Sequence, residues 1–598
     1  LMEEYGGYFS WVNDEGNPKI LAPANPMARL DLREDEATAN RIITNFQADY
    51  KFHFMPELRA KLNVAYDYTK SEGTNFTPRY ASWNYDSRPG YDGGSNNEYT
   101  VEKKNELIDF YLNYVREFEG ISSKFDVTAG YSWQHFWIED YNYTTNDFSV
   151  DSNKIVDVDN ADPRELYLLS FFGRFNYTLL NRYLFTFTLR DDRTSRFSPD
   201  TRQGLFPSMA LAWKINEEAF LKNVKGLSQL KLRLGYGVTG QQEVPGGYYP
   251  YMPFYVLSQQ DARQIFGDDT VRTARPSGYD AEIKWEETET YNIGLDFGIF
   301  NDRLVGSIDY YVRETNDLIN EIPIPAGTNF TNRIVTNVGS LENRGIEASL
   351  TGRVISNNEL FWELSCNVTH NKNEITKLTQ VQDSTYLGYA TGGIAGGVGN
   401  NIQQNSVGHA ARTFFVYEQV YDENGNPIEG MYVDQNGDGQ ISEADKLWYK
   451  NPAPEVFIGL GSRLEYKNID FSFNGRINLG NYVYNNIASN MGIYTSLWDD
   501  TYFLRNISST YDYNFYNAQY WSNYYIEDAS FFRMDNITLG YNFKELGIQK
   551  LNMRVSATVQ NAFVITGYKG LDPELQDGID NNIYPRPRIF MLGVNVNF

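Results

Sequence analysis

One segment of the chain has the residue types and spacing of a calcium-binding loop. In the segment 434–445, side-chain oxygens stand at positions 1, 3, 5, 9 and 12, with glycine at position 6. EF-hand loops place calcium ligands at these positions and need that glycine for a sharp turn. We therefore predict a calcium site whose ligands are Asp434, Asn436, Asp438, the backbone carbonyl of Gln440, Ser442 and Asp445.

Two details of this segment limit what the calcium is expected to do. Asp445 stands where EF-hand loops usually carry a bidentate glutamate. The sequence on either side does not have the pattern of an amphipathic helix pair, so a calcium sensor is not expected. We predict a structural calcium that rigidifies the surrounding 372–454 loop and takes no part in catalysis.

No group of residues in the sequence suggests an enzyme. The sequence lacks the Gly-x-Ser-x-Gly, His-Glu-x-x-His and phosphate-loop patterns. Its four histidines are scattered, and Cys366 is its only cysteine. We predict that the protein is not an enzyme and has no catalytic residues. The net charge of -25 also argues against nucleic acid as a partner, since phosphate binding needs a basic surface.

In the segments that must position these residues, apolar and polar residues alternate with a period of two. Every odd position of 125–134 is apolar, and the segment 471–479 follows the same pattern. Strands predicted in this way have about 9–11 residues, the length that crosses a bilayer when tilted. Mean hydropathy is -0.51, which transmembrane barrels tolerate because only every second strand residue faces lipid.

The links between the predicted strands alternate between short and long. The short links include 54–57, 180–182, 300–302 and 356–359, and the long links include 70–106, 239–286, 372–454 and 480–529. Bacterial outer-membrane barrels show this asymmetry, with tight periplasmic turns and long extracellular loops. The strand-like stretch 413–417 would invert the alternation, so we place it inside the extracellular 372–454 insertion.

The predicted fold is all-β, a transmembrane antiparallel β-barrel. We count about 17 strands, whereas single-chain bacterial barrels have an even number and plugged transporters have about 22. We therefore expect residues 1–598 to be part of a barrel domain, with the remaining strands and an N-terminal plug upstream of Leu1. From the pattern alone, a passive porin and a soluble or surface-attached glycan-binding β-protein stay open as alternatives.

Several sequence blocks occur in order from about residue 168 to the C-terminus. They include Ser170-Phe171-Phe172-Gly173-Arg174-Phe175-Asn176-Tyr177, Leu189-Arg190-Asp191 with Ser195-Arg196-Phe197, Phe206-Pro207-Ser208, Gly235-Tyr236-Gly237-Val238-Thr239-Gly240, Lys284-Trp285-Glu286, Asn337-Val338-Gly339-Ser340-Leu341-Glu342-Asn343-Arg344-Gly345-Ile346-Glu347, Ser530-Phe531-Phe532-Arg533-Met534 and Gly570-Leu571-Asp572-Pro573-Glu574. Together they resemble the SusC/RagA family of TonB-dependent outer-membrane transporters of Bacteroidetes.

The resemblance implies active import of oligosaccharides (glycans) or oligopeptides across the outer membrane. It also implies two partners, the TonB complex, which supplies energy, and a SusD-like surface lipoprotein, which caps the barrel. The inner-face residues Asn552, Arg554, Ser556, Thr558 and Gln560 would line the lumen or contact the plug. Substrate-binding residues stay unknown, because the tyrosine-rich runs 248–251 and 520–525 suit either substrate stacking or loop packing.

Overall fold

The structure of the chain is a computed structural model, which describes most of the sequence. It covers residues 2–597 apart from 20–21, 86–92, 146–154, 161–162, 246, 259–261, 268, 325–326, 328–330, 332, 380–385, 498–506, 509–514, 544–551 and 582.

The described residues form thirty-two strands and a few short helices. The strands are β1 Glu34–Lys51, β2 Leu58–Thr77, β3 Ser95–Phe118, β4 Ser123–Thr145, β5 Ile155–Asn160, β6 Arg164–Leu179, β7 Tyr183–Thr194, β8 Gln203–Lys214, β9 Leu227–Gln241, β10 Tyr255–Leu257, β11 Arg263–Phe266, β12 Asp269–Arg272, β13 Ala274–Pro276, β14 Glu286–Ile299, β15 Leu304–Asn316, β16 Ile319–Pro323, β17 Arg333–Asn337, β18 Ser340–Ser356, β19 Leu360–Lys377, β20 Tyr389–Gly393, β21 Asn401–Asn405, β22 Thr413–Val416, β23 Gln419–Tyr421, β24 Pro427–Tyr432, β25 Leu447–Trp448, β26 Val456–Tyr466, β27 Ile469–Leu479, β28 Tyr482–Tyr484, β29 Ile526–Asp528, β30 Phe531–Phe543, β31 Asn552–Thr566 and β32 Ile589–Asn597.

The helices are all short. The two α-helices are α1 Pro26–Leu32 and α2 Asn486–Met491, and the 3-10 helices are Glu3–Tyr5, Ser82–Asn84, Glu119–Ile121, Ile215–Glu217, Glu443–Asp445, Tyr494–Leu497 and Asn523–Tyr525. Within the described ranges, none of these helices is long and apolar enough to cross a bilayer.

One antiparallel sheet of eighteen strands forms the body of the molecule. Seventeen of them follow one another as an up-and-down meander, and the eighteenth, β5, pairs only with the outer end of β4 among the described residues. The meander runs β1–β4, β6–β9, β14, β15, β18, β19, β26, β27, β30, β31 and β32. The predicted all-β barrel with about 17 strands is therefore confirmed. The total of about 22 concerns chain beyond this sequence and stays a prediction.

The predicted long links all lie at one end of the sheet, and the link 215–226 between β8 and β9 is an exception of moderate length at the opposite end. Several strands extend further toward the end with the long links than the sequence predicts. For example, β2 continues to Thr77 and β3 begins at Ser95. The predicted 70–106 loop is therefore wrong in its bounds. Lys70 and Glu72 form an ion pair of 2.7 Å on the extension. Backbone pairing and polar contacts therefore stabilise the part of each strand that lies beyond the alternating apolar residues.

The outer face of the sheet is apolar across its middle. Leu234, Ile293, Tyr310 and Ile346 form one row over four neighbouring strands. These side chains are 43%, 48%, 45% and 50% exposed. Soluble proteins seldom leave such a continuous apolar band uncovered, whereas lipid covers it in a membrane barrel. The band counts against the soluble alternative.

The inner face of the sheet is polar. Arg233, Gly294, Asp309 and Glu347 form the adjacent row, which alternation turns to the opposite side. The guanidinium of Arg233 reaches across Gly294 to Asp309 at 2.9 Å. A Cβ atom at Gly294 would lie 2.2 Å from the Asp309 carboxylate, so the glycine makes room for this ion pair.

A second ion pair on the inner face repeats this arrangement near the C-terminus. Arg554 of β31 lies 2.6 Å from Asp470 of β27, and it crosses Gly540 of the intervening strand. The hydroxyls of Thr558 and Thr538 lie 2.9 Å apart on the same face. The inner wall therefore presents ion pairs and hydroxyl groups.

Candidate functional site at the extracellular mouth

Two of the long links fold together into one body. Residues 386–455 and the described part of 480–530 share a single apolar core. Phe414 and Val416 from the first link pack with Tyr484 and Phe515 from the second, and all four are almost completely buried. Each such burial contributes about 1.5–3 kcal/mol relative to exposure. We call this body the dome.

The dome accounts for two features of the sequence. The strand-like stretch 413–417 contains β22, which pairs with β21 and β25 in the dome. Within the run 520–525, Tyr525 is buried in the apolar core. Packing is therefore the role of Tyr525. In the other tyrosine-rich run, Tyr248 lies 5.2 Å from the Arg196 guanidinium, which also indicates a packing contact.

A third link holds the dome to the end of the barrel. It is the 567–588 segment between β31 and β32. The side-chain amide of Gln403 donates to the Asp577 carbonyl at 2.7 Å, and the Tyr484 N–H donates to the Gly578 carbonyl at 2.8 Å. Asn486 donates to Asn581 at 2.8 Å. These hydrogen bonds attach the dome to the 567–588 segment.

The predicted calcium loop lies on the dome and is built from consecutive tight turns. The Asp434 carboxylate accepts hydrogen bonds from the Gly437 and Gly439 N–H groups, both at 2.7 Å. Gly439, at position 6 of the loop, has a φ of 78°, as the EF-hand turn requires. Asp445 is fully buried, and its carboxylate accepts from the Ser442 N–H at 2.7 Å. This N–H is the main reason that the pKa of Asp445 lies below its ordinary value.

The donor set of this loop fits calcium in kind, because every predicted ligand offers oxygen. The loop as described uses those oxygens for its own N–H groups. Across the described ranges, no three Asp, Glu, His or Cys side chains are gathered where one metal ion would bind. Binding would therefore require Asp434, Asp438 and Asp445 to exchange backbone partners for the ion.

A cleft of about 800 Å³ opens where β19 and β26 separate, beside the dome. Six of the residues lining it represent its chemistry, which combines an amide, aromatic rings and charges of both signs. They are Asn373, His409, Arg412, Trp448, Lys450 and Glu455. Such a lining suits a polar, multiply hydrogen-bonded ligand.

Two aromatic side chains form part of the cleft wall. The ring of His409 stacks on Trp448, with centroids 4.4 Å apart and an interplanar angle of 13°. Burial lowers the pKa of His409, and the nearby Glu374 carboxylate opposes that shift. Trp448 follows the calcium loop by three residues, which places the loop and the cleft wall on one short stretch. Sequence analysis missed this cleft, because its lining comes from links far apart in the chain.

Five of the sequence blocks meet at the rim of the barrel, at the end of β7, β8 and β9. Phe197 and Phe206 pack against Trp285, with ring centroids 5.7 and 5.4 Å away. The Trp285 indole N–H donates to the Arg202 carbonyl at 2.9 Å. These aromatic rings lie over Gly240, where a Cβ atom would be 2.2 Å from Phe206. The fifth block joins through paired hydrogen bonds of 2.7 and 2.9 Å between the Asn337 side chain and the backbone of Lys284.

The last two blocks meet in a buried ion-pair network. Arg533 is almost completely buried and lies 2.6 Å from Asp572 and 3.4 Å from Glu574. Arg586 contacts the same two carboxylates at 3.2 and 2.7 Å, and Arg476 reaches Glu574 at 2.8 Å. The network fastens the 567–588 segment, and through it the dome, to β27 and β30.

Comparison with known proteins gives the same architecture. The family model described as "TonB dependent receptor-like, beta-barrel" matches residues 4–562. The chain is 43% identical to the TonB-dependent receptor SusC of Bacteroides thetaiotaomicron, over 99% of this chain and 60% of that protein. It is 29% identical to the TonB-dependent receptor P3 of Formosa agariphila, over 96% of this chain and 60% of that protein.

A solved structure of the RagAB peptide transporter superposes with a TM-score of 0.81 at 20% identity, covering 99% of this chain and 65% of that one. At this identity the likeness shows the fold. The chain spans about 60% of the length of the curated relatives it matches. The resemblance to the SusC/RagA family that the sequence blocks predict is confirmed. The chain therefore belongs to the TonB-dependent receptor family and forms an outer-membrane β-barrel.

Proposed function

We propose that the whole protein imports oligosaccharides or oligopeptides across the outer membrane. The TonB complex supplies the energy, and a SusD-like surface lipoprotein covers the extracellular mouth. The observation that carries the proposal is the 43% identity to a TonB-dependent receptor along 99% of this chain. The polar inner face supports it, because a lumen lined by ion pairs and hydroxyls suits hydrogen-bonding solutes.

The cleft beside the dome supports a polar oligomer as the substrate. Sugar hydroxyls and peptide amides both pair with amide and charged side chains of the kind found at Asn373, Arg412 and Lys450.

Deletion of the gene should abolish growth on one class of polymer and leave growth on monomers unchanged. The assay compares deletion and complemented strains on panels of oligosaccharides and of oligopeptides as sole carbon source. Removal of the neighbouring lipoprotein gene is expected to give the same substrate pattern. Unchanged growth on every oligomer would contradict the proposed import.

A calcium ion in the 434–445 loop is the second part of the proposal. Asp434, Asn436 and Asp438 would hold it by side-chain oxygens, with Asp445 closing the loop. Gln440 would contribute its carbonyl and Ser442 an oxygen. The ion would supply positive charge that fixes the loop. Asp445 would connect the ion to the segment that contains Trp448.

Calcium is expected to raise the thermal midpoint of the whole protein in detergent and to protect the dome from protease. At a free concentration of 100 times Kd the stabilisation is about 2.7 kcal/mol. An Asp434→Ala variant should lose this response. The matched control is Asp422→Ala, because Asp422 accepts from the Asn424 and Asn426 N–H groups at 2.9 and 2.8 Å but lies outside the ligand set. An equal calcium response in both variants would exclude the site.

A further inference from the structure

The link 215–226 between β8 and β9 is the longest connection at the end of the barrel opposite the long loops. That end is periplasmic in bacterial outer-membrane barrels. The link is built from tight turns. The Lys222 N–H donates to the Glu218 carbonyl at 2.8 Å, and the Val224 N–H donates to the Leu221 carbonyl at 2.9 Å. These hydrogen bonds give the link a defined conformation.

Glu218 fixes the link against the lipid-facing side of the barrel wall. Leu211 pairs with Leu234 of the outer apolar row, and Trp213 lies two residues further along the same strand, so it also faces outward. Tyr183 pairs with Trp213 and therefore points to the same side. The Glu218 carboxylate accepts from the Tyr183 hydroxyl at 2.6 Å and from the Trp213 indole N–H at 3.0 Å. The base of the link therefore lies on the membrane side of the wall.

A third contact completes this attachment. The Arg182 guanidinium lies 2.8 Å from the Glu218 carboxylate, and the Glu218 side chain is only 13% exposed. Tyrosine and tryptophan side chains gather at the membrane–water interfaces of barrels. Tyr183 and Trp213 therefore mark the level of the periplasmic interface, and Glu218 holds the following residues at this level.

The tip of the link exposes apolar side chains beside the outer apolar band. Phe220 and Val224 are 69% and 47% exposed. The neighbouring turn extends this apolar surface, because the Phe300 N–H donates to the Gly226 carbonyl at 2.6 Å and Phe300 is 64% exposed. Exposed apolar surface that adjoins a lipid-covered band marks a further contact with the membrane.

The same tip carries positive charge. Lys222 and Lys225 are exposed, and the segment 219–226 contains no acidic residue, although the whole chain has a net charge of -25. Apolar side chains beside basic ones are typical of segments that bind a membrane surface containing anionic lipid. A periplasmic protein fits the tip less well, because the contacts of Glu218 hold it beside the wall that lipid covers.

We infer that this link is a membrane anchor on the periplasmic leaflet. Phe220 and Val224 enter the leaflet, and Lys222 and Lys225 bind the phosphate groups of anionic phospholipids. Glu218 is a positioning residue that keeps the link against the wall. This contact is independent of the transported substrate, so it goes beyond the proposed function.

The depth of the tip in a bilayer tests the anchor on the whole protein. A nitroxide would be attached at Phe220→Cys, with the native cysteines, including Cys366, replaced by alanine. In vesicles of phosphatidylcholine and phosphatidylglycerol, molecular oxygen should reach this label better than a water-soluble nickel complex does. A label at Asn358→Cys, in the exposed link 357–359 at the same end, should show the reverse. Preferential access of the nickel complex at both positions would overturn the membrane anchor.

Removal of the two lysine charges tests the contact with phospholipid. Phosphatidylglycerol would be titrated into the whole protein in detergent, and the bound lipid counted by native mass spectrometry. The Lys222→Gln, Lys225→Gln variant should need about twentyfold more lipid for the same occupancy, because each lysine near an anionic surface contributes about fivefold to binding.

The control is the double variant Lys377→Gln, Lys569→Gln, since both lysines are exposed at the extracellular end of the barrel. Equal titrations of the two double variants would contradict binding by the lysines of the link. An equally large loss with phosphatidylcholine would contradict recognition of anionic phospholipid. Barrel folding is checked separately by heat-dependent gel mobility.

Discussion

The Arg533→Leu variant is expected to lower the free energy of unfolding by about 3 kcal/mol or more, because removing one partner of a buried ion pair leaves its carboxylates uncompensated. Arg533 is 3% exposed and joins Asp572 and Glu574, with Arg586 as the neighbouring cation. Arg586 would still form ion pairs with both carboxylates. The loss of unfolding free energy is therefore expected at the lower end of the usual range. Denaturant unfolding in detergent, followed by tryptophan fluorescence, measures it.

The same variant should also make the 567–588 segment sensitive to protease. An Arg33→Leu variant is the matched control, because the Arg33–Asp35 pair of 3.1 Å is more than half exposed on both sides. Exposed pairs contribute about 0–1 kcal/mol. Comparable destabilisation in both variants would show that the buried network does not hold the segment.

Gly240→Ala is the second substitution expected to have a large effect, about 1–3 kcal/mol of destabilisation. The new Cβ atom would lie 2.2 Å from Phe206 and 2.9 Å from Trp285. Both rings are buried and packed, so neither can move without opening the rim cluster. The thermal midpoint of the whole protein measures the loss.

The control for this substitution lies on the same strand. Gly235→Ala brings a Cβ atom no closer than 3.8 Å to its nearest neighbour, so its midpoint should stay close to that of the parent. Adding Phe206→Leu to Gly240→Ala should recover part of the loss, because a smaller side chain leaves space for the methyl group. Equal midpoints for the Gly240 and Gly235 variants would contradict the packing of the rim.

The membrane strands could be predicted from the sequence because two solvents impose alternation on them. Lipid requires apolar residues on one face, as at Ile293, and the polar lumen requires the opposite on the other, as at Asp309. Where strands leave the bilayer this constraint ends. The predicted 70–106 loop therefore included the extensions of β2 and β3. These extensions pair with each other through their backbones, and most of their side chains are polar.

The site at the mouth could be predicted only in part. The 434–445 loop is local, so its residue spacing alone indicated calcium. The sequence blocks containing Arg533 and Asp572 were found separately, but nothing in a linear pattern shows that these residues form an ion pair. The dome and the cleft depend on contacts between links that are far apart in the chain, such as the hydrogen bond between Gln403 and Asp577, which are 174 residues apart. Such contacts leave no local signature.

Energised uptake tests the central claim most directly. Cells expressing the whole protein would be given a labelled oligomer that supports growth, and accumulation in the periplasm would be followed before and after an uncoupler collapses the proton gradient. The account predicts that uptake stops with the gradient and that deletion of TonB has the same effect. Uptake that continues at the same rate in both cases would show a passive porin and contradict the proposed importer.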